Sequence, residues 1–220
     1  MKTNNAIFLV VALAAIISSC DSKQREGHLP ILGNMDLVDR VRDGKKVIDT
    51  VYHTIPDFHF TDQDSNAVTQ ETFSDKIYVA DFFFTSCPDI CPAMKTQMLR
   101  VYEKFKDNNE FALLSHTIDP KRDSVTVLKD YSERLGVEES GKWFFVTGEK
   151  EKIYDIGLNG YMVTADESPD APGGFIHSGA FILVDKERRI RGVYDGTKEE
   201  KVDLLMADIP RLMAEYHTPD

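Results

Sequence analysis

Positive charge is scarce in this sequence: 26 Lys and Arg stand against 37 Asp and Glu, for a formal net charge of −11. Holding nucleic-acid phosphates takes clustered basic side chains, and none stands out along the chain, so a nucleic-acid partner is excluded from the reading. No internal repeat and no low-complexity segment is present, which excludes solenoids and disordered linkers. Long apolar runs are missing too. The longest, Ala6 to Ile17, falls short of the ~20 residues that a membrane-spanning helix needs. Cysteine is sparse, at three residues, too few for a disulfide-stapled scaffold. What remains is ordinary globular composition, 42% hydrophobic and 29% charged over 220 residues. That suits one domain with a sizeable core plus an extension.

The N-terminus reads as targeting rather than fold. Lys2 precedes the apolar run, which ends in Ile17-Ser18-Ser19-Cys20. Small residues before a Cys, just after a signal-type apolar run, resemble the lipobox of bacterial lipoproteins. The resemblance implies cleavage before Cys20 and its lipidation, with the protein held outside the cytoplasm, on the periplasmic side of a membrane. A plain signal peptide or anchor helix with a chance Cys is the alternative. The expected organisation is a signal peptide over 1–19, a tether and extension over 20–54 with Pro30, Gly33 and Gly44 as breakers, and a folded domain over 55–217.

The domain alternates. Ile77 to Phe84 is a near-continuous apolar run, as in a central buried strand. Ile90 to Phe105 has helical spacing, with Met94, Met98, Val101 and Phe105 on one face, so both Met belong to the core rather than to a metal site. Phe111 to Ile118 reads as a strand, Asp123 as the cap of a helix to Leu135, and Trp143 to Val146 as a further strand. Phe175 to Val184 and Ile190 to Tyr194 read as a hairpin. Lys198 to Tyr216 reads as a helix that Pro210 should kink or interrupt. A βαβ unit feeding an antiparallel hairpin is a thioredoxin-like arrangement: an α/β fold whose mixed central sheet is flanked by helices.

The chemistry concentrates in Cys87-Pro88-Asp89-Ile90-Cys91-Pro92, between that strand and the helix. Unpaired N–H groups and the helix dipole favour thiolate there. If the segment is helical, the Cα atoms of Cys87 and Cys91 lie about 6 Å apart, within reach of either a disulfide or one shared metal ion. Thiolates select Cu(I), and imidazole accommodates copper in either oxidation state. Of six His, His28, His53 and His217 fall in the extension or tail, while His59 and His116 sit on strands. His177, at the start of the hairpin, stands out as a third ligand, with a hydrogen-bonded loop His as the competing reading. Asp81, inside the apolar strand, is either a buried carboxylate near the Cys pair or part of a solvated face.

Cys87-Pro88-Asp89-Ile90-Cys91-Pro92, Asp119-Pro120-Lys121-Arg122-Asp123, and His177-Ser178 before Phe181-Ile182-Leu183-Val184-Asp185 together resemble the Sco/SenC family, over about Ile55 to Tyr216. The resemblance implies a thioredoxin fold and one copper, Cu(I) or Cu(II), per chain, held by Cys87, Cys91 and His177. It implies help in assembling the CuA centre of cytochrome c oxidase, the partner being the CuA subunit or another copper or thiol client. Asp119 falls on the family's candidate position for partner recognition; a plain turn residue is the alternative. Many relatives carry Asp before the ligand His, where this chain has Ile176, so a contact that orients the imidazole must be missing or come from elsewhere. The competing function is an extracytoplasmic thiol–disulfide oxidoreductase, with Cys87 attacking and Cys91 resolving. A thiol peroxidase ranks low, because no Thr-x-x-Cys element with a partner Arg is found.

If Cys20 carries lipid, Cys20→Ala will change precursor processing and release the protein from membranes, since several acyl chains hold a protein firmly where one does not. Membrane fractionation with mass analysis checks this. Wild-type protein that is soluble and carries no mass increment would refute it.

Overall fold

The computed structural model describes residues 27–137, 141–168 and 175–217, with backbone alone at 165–167, 176 and 177. Cys20 and the apolar run before it lie outside the described residues. A hairpin of β1 (Met35–Arg42) and β2 (Lys45–Tyr52) comes first, then a second pair, β3 (His59–Asp62) and β4 (Ala67–Thr69). β5 (Ile77–Phe83), α1 (Cys91–Phe105), β6 (Phe111–Thr117), α2 (Val125–Arg134) and β7 (Trp143–Thr147) alternate after it. α3 (Lys150–Asp155) runs into a π turn over Ile156–Gly160. β8 (Ala165–Glu167) and β9 (Phe175–His177) form a small ribbon, β10 (Ala180–Val184) and β11 (Ile190–Asp195) a hairpin, and α4 (Glu199–His217) closes the chain.

Seven strands make one sheet in the order β11-β10-β5-β6-β7-β3-β4. β5, β6 and β7 run parallel, as helical crossovers require, and the flanking pairs are antiparallel. This is the expected thioredoxin-like mixed sheet. β5 is buried along its whole length. It can be, because alternate residues serve two cores. Val79 and Phe83 meet Met94, Met98 and Val101 of α1, and Leu205 and Ile209 of α4. Tyr78 and Phe82 meet Phe60, Phe144, Ile153 and Tyr161 on the other face. Met94 and Met98 are thus core residues, as expected.

Four expectations need correction. The stretch 35–52, read as polar extension, is a hairpin. Its Asp43 and Gly44 both have positive φ, the turn chemistry that reverses a two-residue loop, so Gly44 breaks one strand only by starting another. Ser124, not Asp123, caps α2, its side chain accepting from the Val127 N–H. The segment 175–184 is two strands rather than one, since β9 pairs with β8 and the main sheet begins at Ala180. Finally, α4 runs through Pro210 without interruption. Proline in a helix interior costs about 3 kcal/mol, and the buried Leu205, Ile209, Leu212 and Met213 on either side of it offset that cost.

Two buried titratable groups sit on opposite faces of the sheet. His116 is fully buried, stacked 5.0 Å from Phe82 and edge-on to Phe60 at 5.3 Å, and neither ring nitrogen has a hydrogen-bond partner. Burial pulls its pKa down from 6.5 to about 3. Asp81 faces the other core, where Ser115 Oγ donates to it at 2.5 Å and Trp143 Nε1 donates to Ser115 Oγ at 2.8 Å. Burial pushes Asp81 up from 3.8 to about 7, against the opposing effect of the Ser115 bond.

The two groups have opposite consequences for stability. Between about pH 3 and 6.5 the unfolded chain holds a proton on His116 that the fold excludes, so stability rises with pH. Between about 3.8 and 7 the fold holds a proton on Asp81 that the unfolded chain has released, so stability falls with pH. In the overlap the two cancel. Urea unfolding across that window should therefore give Asp81→Asn a stability that climbs with pH by about 1.4 kcal/mol per unit relative to wild type, and His116→Leu one that falls by about as much. Equal slopes in the two variants would contradict the assignment.

Candidate metal centre

The Cys pair is built by a turn, not by a helix spanning it. β5 ends at Phe83, whose carbonyl accepts from the Ile118 N–H at 2.8 Å, and the Cys87 N–H turns back to the Phe84 carbonyl at 3.2 Å. Cys87 precedes the helix and Cys91 is its first residue, with Ile90 at the cap and Pro92 in the first turn, where a missing N–H needs no partner. Neither cysteine is in a disulfide in this structure; Cys87 is half-buried and Cys91 6% exposed. Their side chains hydrogen-bond to each other. Cys87 packs against both cores at the point where the sheet stops separating them.

The expectation of thiolate at the helix start is not met at Cys91. Burial pushes the Cys91 thiol well up, the contact with Cys87 pushes the same way, and a backbone hydrogen bond at Phe84 opposes them. Desolvation outweighs the helix terminus at Cys91. The pair is thus a reduced dithiol with one member at the surface and one inside.

Asp123 holds this turn in place. Its buried carboxylate accepts from Thr85 N–H at 3.0 Å, from Thr85 Oγ1 at 2.5 Å and from Thr117 Oγ1 at 2.5 Å. One side chain therefore joins the end of β6 to the turn two residues before Cys87. Sequence reasoning missed this by reading Asp123 as a helix cap. The pattern that could have suggested it is a Thr just past the end of one strand and a Thr at the end of its parallel neighbour, both facing the same Asp-rich loop. Asp119 shapes that loop. Its carbonyl accepts from the Arg122 and Asp123 amides, and its largely buried carboxylate lies 3.7 Å from Arg122 Nε.

The β8–β9 ribbon lies against the Cys turn. Its register sets Ala165 opposite His177. The Phe175 ring stands 5.0 Å from that of Phe84, and Gly179 is so close to Ile90 that a Cβ on it would meet Ile90 Cδ1 at 3.7 Å. The residues two before and two after His177 thus touch the segment that carries the cysteines; the His177 ring itself lies outside the described atoms. The remaining histidines go elsewhere. His59 is exposed on β3, His116 fills the far core, His53 Nε2 bonds the Gly160 carbonyl at 2.7 Å, and His28 and His217 pair with Glu215 and Glu110. Among the described residues no group of three or more His, Cys, Asp or Glu converges on one point. Two thiols in mutual contact are donors of the kind a soft metal takes.

Comparison with known proteins points the same way. The SCO1/SenC family model matches residues 48–214. The fold is similar to a SCO1/SenC family lipoprotein from Bacillus anthracis str. Ames, with 26% identity and a TM-score of 0.67 over 73% of this chain and 95% of that one. It is similar to BsSco, a member of the Sco family of cytochrome c oxidase assembly proteins in which a disulfide switch has been identified: 26% identity and a TM-score of 0.63, covering 72% and 92%. It is also similar to Arabidopsis thaliana ScoI with copper bound, at 25% identity and a TM-score of 0.60, covering 73% and 98%.

Asp123→Ala strands the Thr85 N–H and two hydroxyls and should cost about 3 kcal/mol. Hydrogen exchange at the Thr85 amide should quicken more than at core amides of β5, while Asp123→Asn should lose clearly less. Unchanged exchange at Thr85 would show that the turn is held by something else.

Proposed function

The chain belongs to the SCO1/SenC family, and on that premise we propose that it binds one copper ion through Cys87, Cys91 and His177 and serves the assembly of the CuA centre of cytochrome c oxidase. The observation that carries this is the reduced, hydrogen-bonded pair of Cys87 and Cys91 at the start of α1, with Phe175 and Gly179, two residues either side of His177, lying beside Phe84 and Ile90 of the segment that holds the pair. Copper in this reading is cargo. Two sulfurs and one imidazole give a soft donor set that suits Cu(I) and tolerates Cu(II), and three ligands leave room for an incoming client thiolate. Thr85 and Asp123 fix the sulfurs, and the β8–β9 ribbon carries the imidazole. Lipid on Cys20 would keep the protein on the periplasmic side of the membrane, where the copper-binding part of an oxidase subunit is exposed. Asp119, on the loop that Asp123 ties to the Cys turn, is proposed as a contact for that subunit.

The unequal exposure of the two thiols supports a second reading, a thiol–disulfide oxidoreductase. The half-buried Cys87 is the member a client disulfide can reach, and Cys91 sits behind it. Cys87 thiolate would attack one client sulfur and expel the other as thiolate. Cys91 would then displace the client's remaining sulfur from Cys87, closing the Cys87–Cys91 disulfide and leaving the client as a dithiol. Both cysteines are needed, and His177 is not.

His177→Ala separates the two. As copper carrier, the variant should lose affinity in an anaerobic Cu(I) titration by at least tenfold to a hundredfold, the scale on which even supporting residues of a metal site act, and should leave oxidase immature in cells. Its reduction of a model disulfide should stay near wild type. Normal oxidase activity in cells carrying only His177→Ala, despite lost copper binding, would remove the carrier reading in favour of the reductase.

A further inference from the structure

We propose that the β1–β2 ribbon docks on an anionic lipid surface, laying Met35, Leu37, Val41, Ile48 and Tyr52 on the bilayer and its basic tip on the headgroups. The inference rests on the reading that Cys20 anchors the chain. It starts from an oddity of the fold. β1 and β2 form a two-stranded sheet of their own, exposed along nearly every residue. An isolated ribbon is marginal in water. Yet the register places Met35 beside Tyr52 and Leu37, Ile48 and Val41 further along the same face. Met35, Leu37, Val41 and Ile48 are 65–71% exposed and Tyr52 39%. The other face is where Arg40 and Arg42 meet Asp49. Asp39 and Lys46 share the first face and three valines the second, but the first carries the five large exposed apolar side chains, and such a patch on an exposed element marks a binding surface.

Charge identifies the occupant. Four basic residues lie within residues 40–46, on either side of the hairpin turn. Arg40, Arg42, Lys45 and Lys46 converge on the tip against the three acids Asp39, Asp43 and Asp49, in a chain whose net charge is −11. A basic tip beside an apolar face fits an interface of acyl chains and anionic headgroups. Position fits as well. The chain is pinned to the body from Leu29, whose N–H donates to Glu215 at 2.6 Å and whose carbonyl accepts from Arg191 at 2.6 Å. Leu29 lies nine positions after Cys20, at most about 30 Å of extended chain. The ribbon begins six residues after that pin, and its eight-residue strands extend about 27 Å. A lipid-held protein therefore has this ribbon within reach of its own membrane.

The test uses the full chain as processed in cells, carried into nanodiscs of phosphatidylcholine and phosphatidylglycerol, with Ile48→Trp or Val41→Trp as reporter and Val47→Trp on the opposite face as control. The native Trp143 is buried and gives a constant background. An interfacial element sits about 5–10 Å into the headgroup–acyl boundary, so both face reporters should shift to the blue and lose roughly half their emission to brominated lipid, the control much less. Lys45→Glu with Lys46→Glu, or pure phosphatidylcholine, should weaken the quenching. Reporters that stay red and unquenched overturn the proposal. So does a blue shift that brominated lipid does not quench, which assigns the face to a second copy or another protein. If the chain does not fractionate with membranes, the anchor reading fails instead. Vesicles of the same composition added to the soluble chain then test the ribbon alone, and an absent blue shift overturns it.

Discussion

The carboxylate of Asp123 is the constraint on which the candidate site rests. β5 and β6 are neighbouring parallel strands, so they end side by side, and the chain must leave both ends in different directions. Thr85 lies just past one end and Thr117 closes the other. Asp123 takes a hydroxyl from each and the Thr85 amide besides. A buried acid with three donors is expensive to disturb, because each donor left behind is unsatisfied in a place water does not reach. The turn that delivers Cys87 therefore inherits the rigidity of the sheet. The loop from Asp119 to Asp123 is tied to that turn as well, so a partner touching the loop touches something mechanically joined to the sulfurs.

The sheet itself is amphipathic in an unusual sense: both faces are buried, and each keeps one ionisable group neutral. Asp81 holds its proton up to about pH 7 on the α1 side, through burial and against the Ser115 hydrogen bond. His116 loses its proton on the other side, among aromatic rings. A charge on either would have no counter-ion across the strand layer. Cys91 follows the same rule, as its thiol is held protonated by the core it enters. Cys87 stands half-buried at the end of the sheet, where the two cores meet.

Much of this was legible in the sequence. The apolar run of β5, the helical spacing of α1 and the strands around Phe111 and Trp143 announce themselves because a doubly buried parallel strand has no polar alternation to confuse the reading. The Cys turn was legible for the same reason, falling where the apolar run stops. What escaped depends on tertiary company. The β1–β2 hairpin alternates polar and apolar residues that no core selects, so its breakers were more visible than its strands. The ribbon of β8 and β9 involves only three residues a side, too few for any period to show. Asp123 was assigned to the helix that begins two residues on because a cap is a local explanation, whereas its true partners sit 6 and 38 residues back.

The spacing of the cysteines explains why copper binding and thiol exchange compete as readings of one site. With three residues between them and only Cys91 in the helix, the sulfurs approach because the Thr85–Ser86 turn folds Cys87 back, not because a helical repeat fixes them. A pair positioned that way can close into a disulfide or open slightly around an ion by moving Cys87 alone, since the first bond of α1, Met94 N–H to the Ile90 carbonyl at 3.0 Å, encloses Cys91 and leaves Cys87 outside. The dithiol chemistry is therefore a property of the turn alone. What metal binding adds is a donor from outside the turn, and the fold has a ribbon there whose flanking residues, Phe175 and Gly179, pack on Phe84 and Ile90. Thiol–disulfide exchange makes no use of a donor there. A copper carrier needs it, because an imidazole that strays from two sulfurs is no ligand.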